Sequence, residues 1–584
     1  MRLLLCALAG VVFTAAAAYL LPGPSRHAAI MVAVEYLLLF PTAVYAFRAP
    51  SPNGIEVMPA PPGGWMLAGF AIVALALSWF YSQGLLIPDE AAYQFQAKTY
   101  GLGKLAANAP PGAPERVEDT PLPLYFEHHI LNGGKWFSKY PPGWPAVLAL
   151  PLRLDVGWMV NPLLGIVLLL LMAAITRRLY DTRTAALAIF LMALSPFFLA
   201  NSVGRMAHMT SGVLLAGACL LCFQGIRTLR VMPFAGMFLL IAAAVQVRPL
   251  TAAAVGGTLG VGALWYLRRE KIFAGVLAWG MLFGAVSVAS MLAYNKTYTG
   301  NYTLSPYVLF DRNPLTQPEN QPDIDLNFRH IAYHLGNQTR WAVQNTVLYA
   351  FPFVFLLAAY AAWREKKHPR EARFLAALFV VLVLAHVIQP AVAVDQTSAG
   401  YEFVGERYYF EAFFAIAILG ARGLMLLAKE WHPGRAQAVA LVALFGVLAA
   451  GQEAIAAAGM RARSEPFRQV HLAAEKLAGQ RYAVFLKSAE PDYVAKHLNL
   501  NRPDWEKGSL FFMVDPGPGE RDEWACRVGR PEWVIIGFGP ARAQVTEEFG
   551  SASCAPPSGR SADDKRRSSA PPKPAATTKH AQEF

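Results

Sequence analysis

The chain is short of charge. Only 15% of its 584 residues are Asp, Glu, Lys or Arg, whereas 55% are hydrophobic and the mean hydropathy is +0.33. Those proportions exclude a single water-soluble core, because so much apolar surface has to be covered by lipid. Cysteine is scarce as well, with five thiols in the whole chain. Cys219 and Cys222 form a C-x-x-C inside an apolar run, where thiols pack as small hydrophobes rather than as ligands. Cys526 and Cys554 could oxidise together if they lie outside the cytoplasm, although Cys554 is close to a low-complexity tail. No internal repeat is visible, which counts against a transporter built from symmetric halves. The formal charge of +12 is spread over short loops and the tail. Membrane topology accounts for most of it, and no nucleic-acid partner is expected.

What the chain has in abundance is long apolar runs. Windows of about twenty residues give some thirteen spans, beginning near residues 3, 28, 65, 157, 184, 209, 231, 250, 272, 345, 374, 409 and 436. The first looks like a signal peptide, but another apolar run follows at once, so it is expected to be retained. The basic clusters Arg177–Arg183, Arg227–Arg230, Arg268–Lys271 and Arg364–Arg373 fall on one side of this map. By the positive-inside rule that side is the cytoplasm, with the N-terminus. The opposite side receives outer loops 84–156, 294–344 and 394–408 and everything after about residue 457.

The fold expected is therefore an all-α polytopic membrane protein of about 13 transmembrane helices with a small C-terminal extracytoplasmic α/β domain. Residues 1–64 supply two N-terminal helices and a linker, and 65–457 the main transmembrane module. Residues 458–550 form the outer domain: a helical pattern over Phe467–Leu477 precedes strand-like runs at Tyr482–Leu486, Ser509–Val514 and Trp533–Gly537. Residues 551–584, rich in Ser, Pro, Ala and Lys, read as disordered. Between the prolines of the first outer loop, Ala146–Leu152 is too short to span and reads as a helix lying at the interface. Abundant Ala and Arg suggest a bacterium of high genomic GC, hence an inner membrane with a periplasmic face.

The most informative motif is Pro88-Asp89-Glu90-Ala91-Ala92-Tyr93, two adjacent carboxylates just beyond an apolar span. Charge at a membrane boundary usually serves function. About fifty residues later Lys139-Tyr140-Pro141-Pro142-Gly143 returns the chain to the bilayer. Further pieces follow in order: Ser195-Pro196-Phe197-Phe198 leading to Arg205 and His208, then Arg248-Pro249-Leu250, Tyr294-Asn295, and Gly405-Glu406-Arg407-Tyr408. Together they cover about residues 65 to 430, and their order and topology resemble the C-type superfamily of membrane glycosyltransferases, in its protein-mannosyltransferase and aminoarabinose-transferase branch. Two places depart from that branch. His208 stands where an acidic residue is common, and Tyr140-Pro141-Pro142 replaces Lys-Pro-Pro.

The resemblance implies an inverting enzyme that moves a sugar from a polyprenyl-phosphate donor to an envelope glycan, lipid or protein acceptor on the outer face. Such transfer needs a base for the acceptor hydroxyl, and Asp89 is the candidate, with Glu90 binding acceptor or orienting a basic partner. Both carboxylates also suit the first turn of a helix, so capping is the alternative. The leaving phosphate needs fixed cations. Arg407 with Tyr408, then Arg205, Arg248 and Lys139, are the candidates, against simple snorkelling to lipid headgroups. Tyr93, Tyr140 and His208 are placed as substrate-binding residues. No cofactor is required; a divalent metal is left open, although His208 and the pair His128-His129 show no ligand spacing on a common element. A polytopic lipid or glycan transporter or flippase without transferase activity is the alternative reading, and a scaffold presenting the C-terminal domain a third.

Overall fold

Between Gly63 and Phe80 the chain carries no charged residue, and it forms an 18-residue helix, about 27 Å long and so able to cross a hydrocarbon core. The same logic repeats along the computed structural model, which describes residues 37–45, 54–316, 354–388, 407–488, 498–538 and 545–554 together with Lys496, apart from isolated positions within them. Among the described residues seven helices are long and apolar enough to span a membrane, or eight if Thr182–Ala193 and Pro196–Val203, bent by 67° at Ser195, count as one broken span.

That count is below the thirteen expected: the span expected near 374 is the helix Pro369–Ile388, which is not among those counted, and two further reasons apply. Val231–Val247 and Val354–Arg364 are apolar but shorter than a full crossing. The spans expected near residues 3, 28 and 345 fall wholly or largely outside the described residues. The remaining starts agree with observed helices, including Gly157–Leu179, His208–Thr228, Pro249–Leu267, Phe273–Thr299 and Arg407–Trp431. One continuous cluster of buried side chains ties them together, running from Phe70 through Phe197, Phe198 and Phe410 to Ile418.

On one end of this bundle sits the loop between residues 81 and 157. It opens with the helix Asp89–Gly101 and closes with Gly143–Arg153, the helix expected at the interface. Gly143 lies where a Cβ would come within 2.7 Å of the Gln246 carbonyl oxygen, so the Pro-Pro-Gly return allows the loop to seat against the end of Val231–Val247. Between the two helices a small antiparallel sheet forms, β1 (Ala107–Asn108), β2 (His129–Asn132) and β3 (Lys135–Ser138), in the order β1-β3-β2. Gly133 and Gly134 both have positive φ in the two-residue turn, which matches the twist of the hairpin.

The boundary expected at residue 457 falls inside a single helix. Arg435–Lys476 runs unbroken for 42 residues, about 63 Å, carrying the chain from the bundle into its C-terminal portion. There the three expected strands appear as β4 (Tyr482–Ser488), β5 (Leu510–Val514) and β6 (Glu532–Phe538), parallel to one another. A fourth, β7 (Val545–Ser551), pairs antiparallel with β6 and gives the order β5-β4-β6-β7. Its Thr-Glu-Glu-Phe-Gly run hid it from a search for apolar strands. Cys526 and Cys554 are joined by a disulfide, Cα–Cα 5.5 Å. The sheet does not stand apart from the loop: Phe95, Phe126 and Trp136 share one buried cluster with Phe485, Phe511 and Val534.

Candidate functional site

Asp89 begins its helix, so its side chain projects from the first turn toward the loop's return rather than along the helix. Its Oδ1 accepts a short hydrogen bond from the Tyr140 hydroxyl. Arg407 Nη2 lies 3.5 Å from the same oxygen, and His128 Nε2 lies 3.8 Å from Oδ2. Three parts of the chain, separated by up to 318 positions, thus meet at one carboxylate. Asp89, Tyr140 and Arg407 are all buried.

Each contact is braced. Tyr140 stacks on Tyr93 with ring centroids 4.3 Å apart, and its carbonyl accepts a 2.6 Å hydrogen bond from the Tyr294 hydroxyl. Ser138 donates its backbone N–H to Gln96 Oε1 at 3.0 Å, tying the hairpin's end to the Asp89 helix. His128 holds φ at 67°, in the left-handed region that costs a non-glycine residue energy, and this brings its imidazole back over Asp89. The ammonium of Lys139 is 4.4, 5.2 and 5.6 Å from the ring centres of Phe310, Tyr307 and Tyr140. That aromatic cage suits a cation taken out of water.

The electrostatics follow from these neighbours. Burial favours the neutral form of Asp89, but Arg407, His128, the Tyr140 hydroxyl and Lys139 outweigh it and hold the carboxyl well below the usual carboxylate range. Burial pulls Lys139 below the ordinary lysine value although Asp89 works against it. A depressed carboxyl contributes stability that is complete above its unfolded value of about 3.9 and is lost as the pH falls through the folded one. The stability advantage of the wild-type protein over Asp89→Asn should therefore stay constant from pH 7 to about pH 5 and shrink only below about pH 4. Thermal melts of the two proteins across that range check it; an advantage already lost at pH 6 would mean the carboxyl titrates high.

Beside Arg407, Tyr408 is the hub of a second group. Arg407 and Arg248 stand 5.2 and 5.4 Å from its ring centre, and Arg407 Nη2 donates to its hydroxyl at 3.4 Å. Arg248 pairs with Glu411 at 2.8 Å, and His208 Nδ1 lies 3.1 Å from the same Glu411 oxygen. The expected substrate contact at His208 is thus already engaged, with Nε2 3.3 Å from Arg248 Nη1. Arg407 is different: its Nε and Nη1 are buried without a hydrogen-bond partner among the described residues.

Two expected members lie elsewhere. Arg205, placed by the sequence among the phosphate-binding cations, gives its guanidinium to Gln94 Oε1 at 3.0 Å and to the Ser82 carbonyl. Its backbone N–H donates to Glu90 Oε1 at 2.9 Å, and its carbonyl accepts from Trp144 Nε1 at 2.8 Å. Glu90 and Arg205 therefore form a strut on the other side of the helix, locking the Asp89 turn to the segment before His208. A helical repeat turns consecutive residues about 100° apart, which is why the two carboxylates part company. Sequence reasoning singled out neither Glu411 nor His128 for this site; the signal for Glu411 was a lone carboxylate four residues into an apolar span. Among the described residues no group of three or more His, Cys, Asp or Glu side chains is arranged to hold a metal ion.

The backbone that carries this geometry has counterparts among solved structures. It superposes on the crystal structure of ArnT from Cupriavidus metallidurans bound to undecaprenyl phosphate with a TM-score of 0.51, covering 82% of this chain and 94% of that one at 14% identity. The chain has the same fold as that structure, the C-type fold that its sequence resembles. Weaker overlaps, at a TM-score of 0.41 each, are found with the Archaeoglobus fulgidus oligosaccharyltransferase (11% identity, 81% of this chain, 69% of that one) and with the mycobacterial arabinofuranosyltransferase AftD (14%, 82% and 36%). No protein-family model and no curated protein matches. The shared fold and the apolar spans agree with a multi-pass membrane protein.

Proposed function

We propose that this C-type chain is an inverting glycosyltransferase that takes a sugar from a polyprenyl phosphate and passes it to an envelope acceptor on the extracytoplasmic face. The observation that carries the reading is the pairing of a buried Asp89 carboxylate with Arg407, whose guanidinium keeps two unpartnered donors. The bound lipid phosphate in the ArnT structure supports the donor class.

In the proposed step Asp89 takes the proton of the acceptor hydroxyl. The acceptor oxygen forms its bond to the anomeric carbon as the bond from that carbon to the phosphate oxygen breaks, and the electron pair leaves with the polyprenyl phosphate. Oδ1 is held by Tyr140 and Arg407, so Oδ2, with His128 Nε2 3.8 Å away, is the oxygen that receives the proton. Arg407, with Tyr408 beside it, holds the charge that develops on the phosphate; Lys139 and Arg248 add to the positive field. Drawing Arg407 toward phosphate also relieves its hold on Asp89, so donor binding would raise the carboxylate's basicity when it is needed. Glu90 and Arg205 position the Asp89 turn. Purified protein that releases sugar from a polyprenyl-phosphate sugar tests the activity; transport of the intact lipid without cleavage would favour a flippase.

The disulfide supports the proposed sidedness, because such bonds persist in oxidising compartments. A reporter active only outside the cytoplasm should work when fused after Gly479 and fail after Lys367. Equal activity at both junctions would overturn the map.

A further inference from the structure

Buried polar atoms without partners concentrate around the turn Arg407–Ala412. Both ring nitrogens of His386, Nε and Nη1 of Arg407, Oε2 of Glu411 and the hydroxyls of Thr210 and Ser211 have no hydrogen-bond partner among the described residues. Each such group forfeits the bonds it had in water, so a cluster of them calls for an explanation, of which a missing ligand is one. His386 is the extreme case. It is 5% exposed, sits near the end of the helix Pro369–Ile388, and leaves both of its nitrogens idle.

Its position narrows the explanation. The His386 ring lies 5.3 Å from that of Tyr408 and 6.2 Å from that of Tyr409. Around the same Tyr408 ring stand Arg407, Arg248 and His208, the last at 6.0 Å. Arg248 and His208 are committed to Glu411. That leaves His386 and Arg407 as the basic side chains on this tyrosine whose buried nitrogens have no partner among the described residues. If packing against tyrosine were the whole requirement, phenylalanine would serve without the cost of two buried nitrogens.

We propose that His386 is a further donor-binding residue, giving an N–H hydrogen bond to a non-bridging oxygen of the polyprenyl phosphate held by Arg407. This rests on the reading of the site given above. An imidazole suits the task because one nitrogen donates in either tautomer and both donate when it is protonated. It supplies direction where Arg407 supplies charge, so the two together fix the phosphate's rotation as well as its place.

The test uses the full-length protein and two probes, undecaprenyl phosphate and undecaprenol, titrated separately. His386→Phe keeps the ring and its stacking on Tyr408; it should weaken undecaprenyl phosphate by about tenfold and leave undecaprenol unchanged. His386→Gln, which restores a donor, should recover most of that loss. His386→Leu carries the same comparison if the phenyl variant does not accumulate. Unchanged phosphate affinity in His386→Phe alongside a loss in Arg407→Ala would overturn the inference and leave the site reading standing. Equal weakening of phosphate and alcohol would also overturn it, making His386 a packing residue. A wild-type protein that binds the two probes alike would bring down the site reading, and the inference with it.

Discussion

Asp89→Asn should lower turnover by about 10² to 10⁴ while leaving donor binding intact. The amide has the carboxylate's shape and can still accept the Tyr140 hydroxyl at its oxygen, so the pocket keeps its outline. What disappears is the proton acceptor and the charge facing Arg407. Removing that partner makes a distinctive second effect: Arg407 no longer divides itself between Asp89 and phosphate, so affinity for undecaprenyl phosphate should hold or rise. A buried cation left alone costs stability, and the comparison therefore needs protein that still inserts and accumulates. Glu90→Gln serves as the contrast, since Glu90 Oε1 accepts from the Arg205 backbone. Near-normal turnover in well-folded Asp89→Asn would remove this residue from the mechanism.

The second large effect is expected at Arg407. Its planar fork offers two free donors, Nε and Nη1, in fixed geometry, whereas lysine offers one compact charge on a flexible stem. If Arg407 grips the leaving phosphate, Arg407→Lys should lose on the order of 2 kcal/mol of transition-state stabilisation, roughly thirtyfold in rate. Arg407→Ala should lose more. An arginine that merely snorkels to headgroups would tolerate lysine, and its burial already speaks against that role. Turnover and undecaprenyl phosphate affinity, measured on both variants, separate the two. Unchanged turnover in Arg407→Lys would pass the phosphate role to Arg248, because the guanidinium of Arg205 is turned away.

Much of the site was legible because charge is rare where lipid is near. Asp89, Lys139, Tyr140 and Arg407 stand at the edges of apolar runs, and a map of inside and outside was enough to put them on one face. Distances inside that face were not legible. Where Arg205 points depends on the short link between the helices Pro196–Val203 and His208–Thr228, and Glu90 reaches the backbone N–H of Arg205, a contact that no residue type announces. His128 was visible as a polar residue, but its conformation at φ 67° is set by the hairpin that follows and leaves no local trace. In the fold, apolar runs located the helices well and counted crossings poorly, because run length does not distinguish a full span from a short or broken helix such as Thr182–Val203. The span expected from about 436 and the helical pattern at Phe467–Leu477 prove to be one helix, Arg435–Lys476, whose continuity was hidden because its sequence changes from apolar to charged midway.

The buried cluster that joins Phe95, Phe126 and Trp136 to Phe485 and Phe511 has a consequence for how the protein is made. The loop bearing Asp89 emerges early in synthesis, yet part of its apolar underside is covered by strands more than 350 residues downstream, such as Phe511 beneath Trp136. Glu127, next to His128, likewise donates its backbone N–H to the Lys496 carbonyl. Until the last strands have been made and folded, the loop lacks its floor, and Glu127, beside His128, lacks the carbonyl that holds it. Closing contacts across so long a separation is slow. The nascent chain therefore passes through most of its insertion with the Asp89 turn unsupported, and that turn matures in the final stage of assembly.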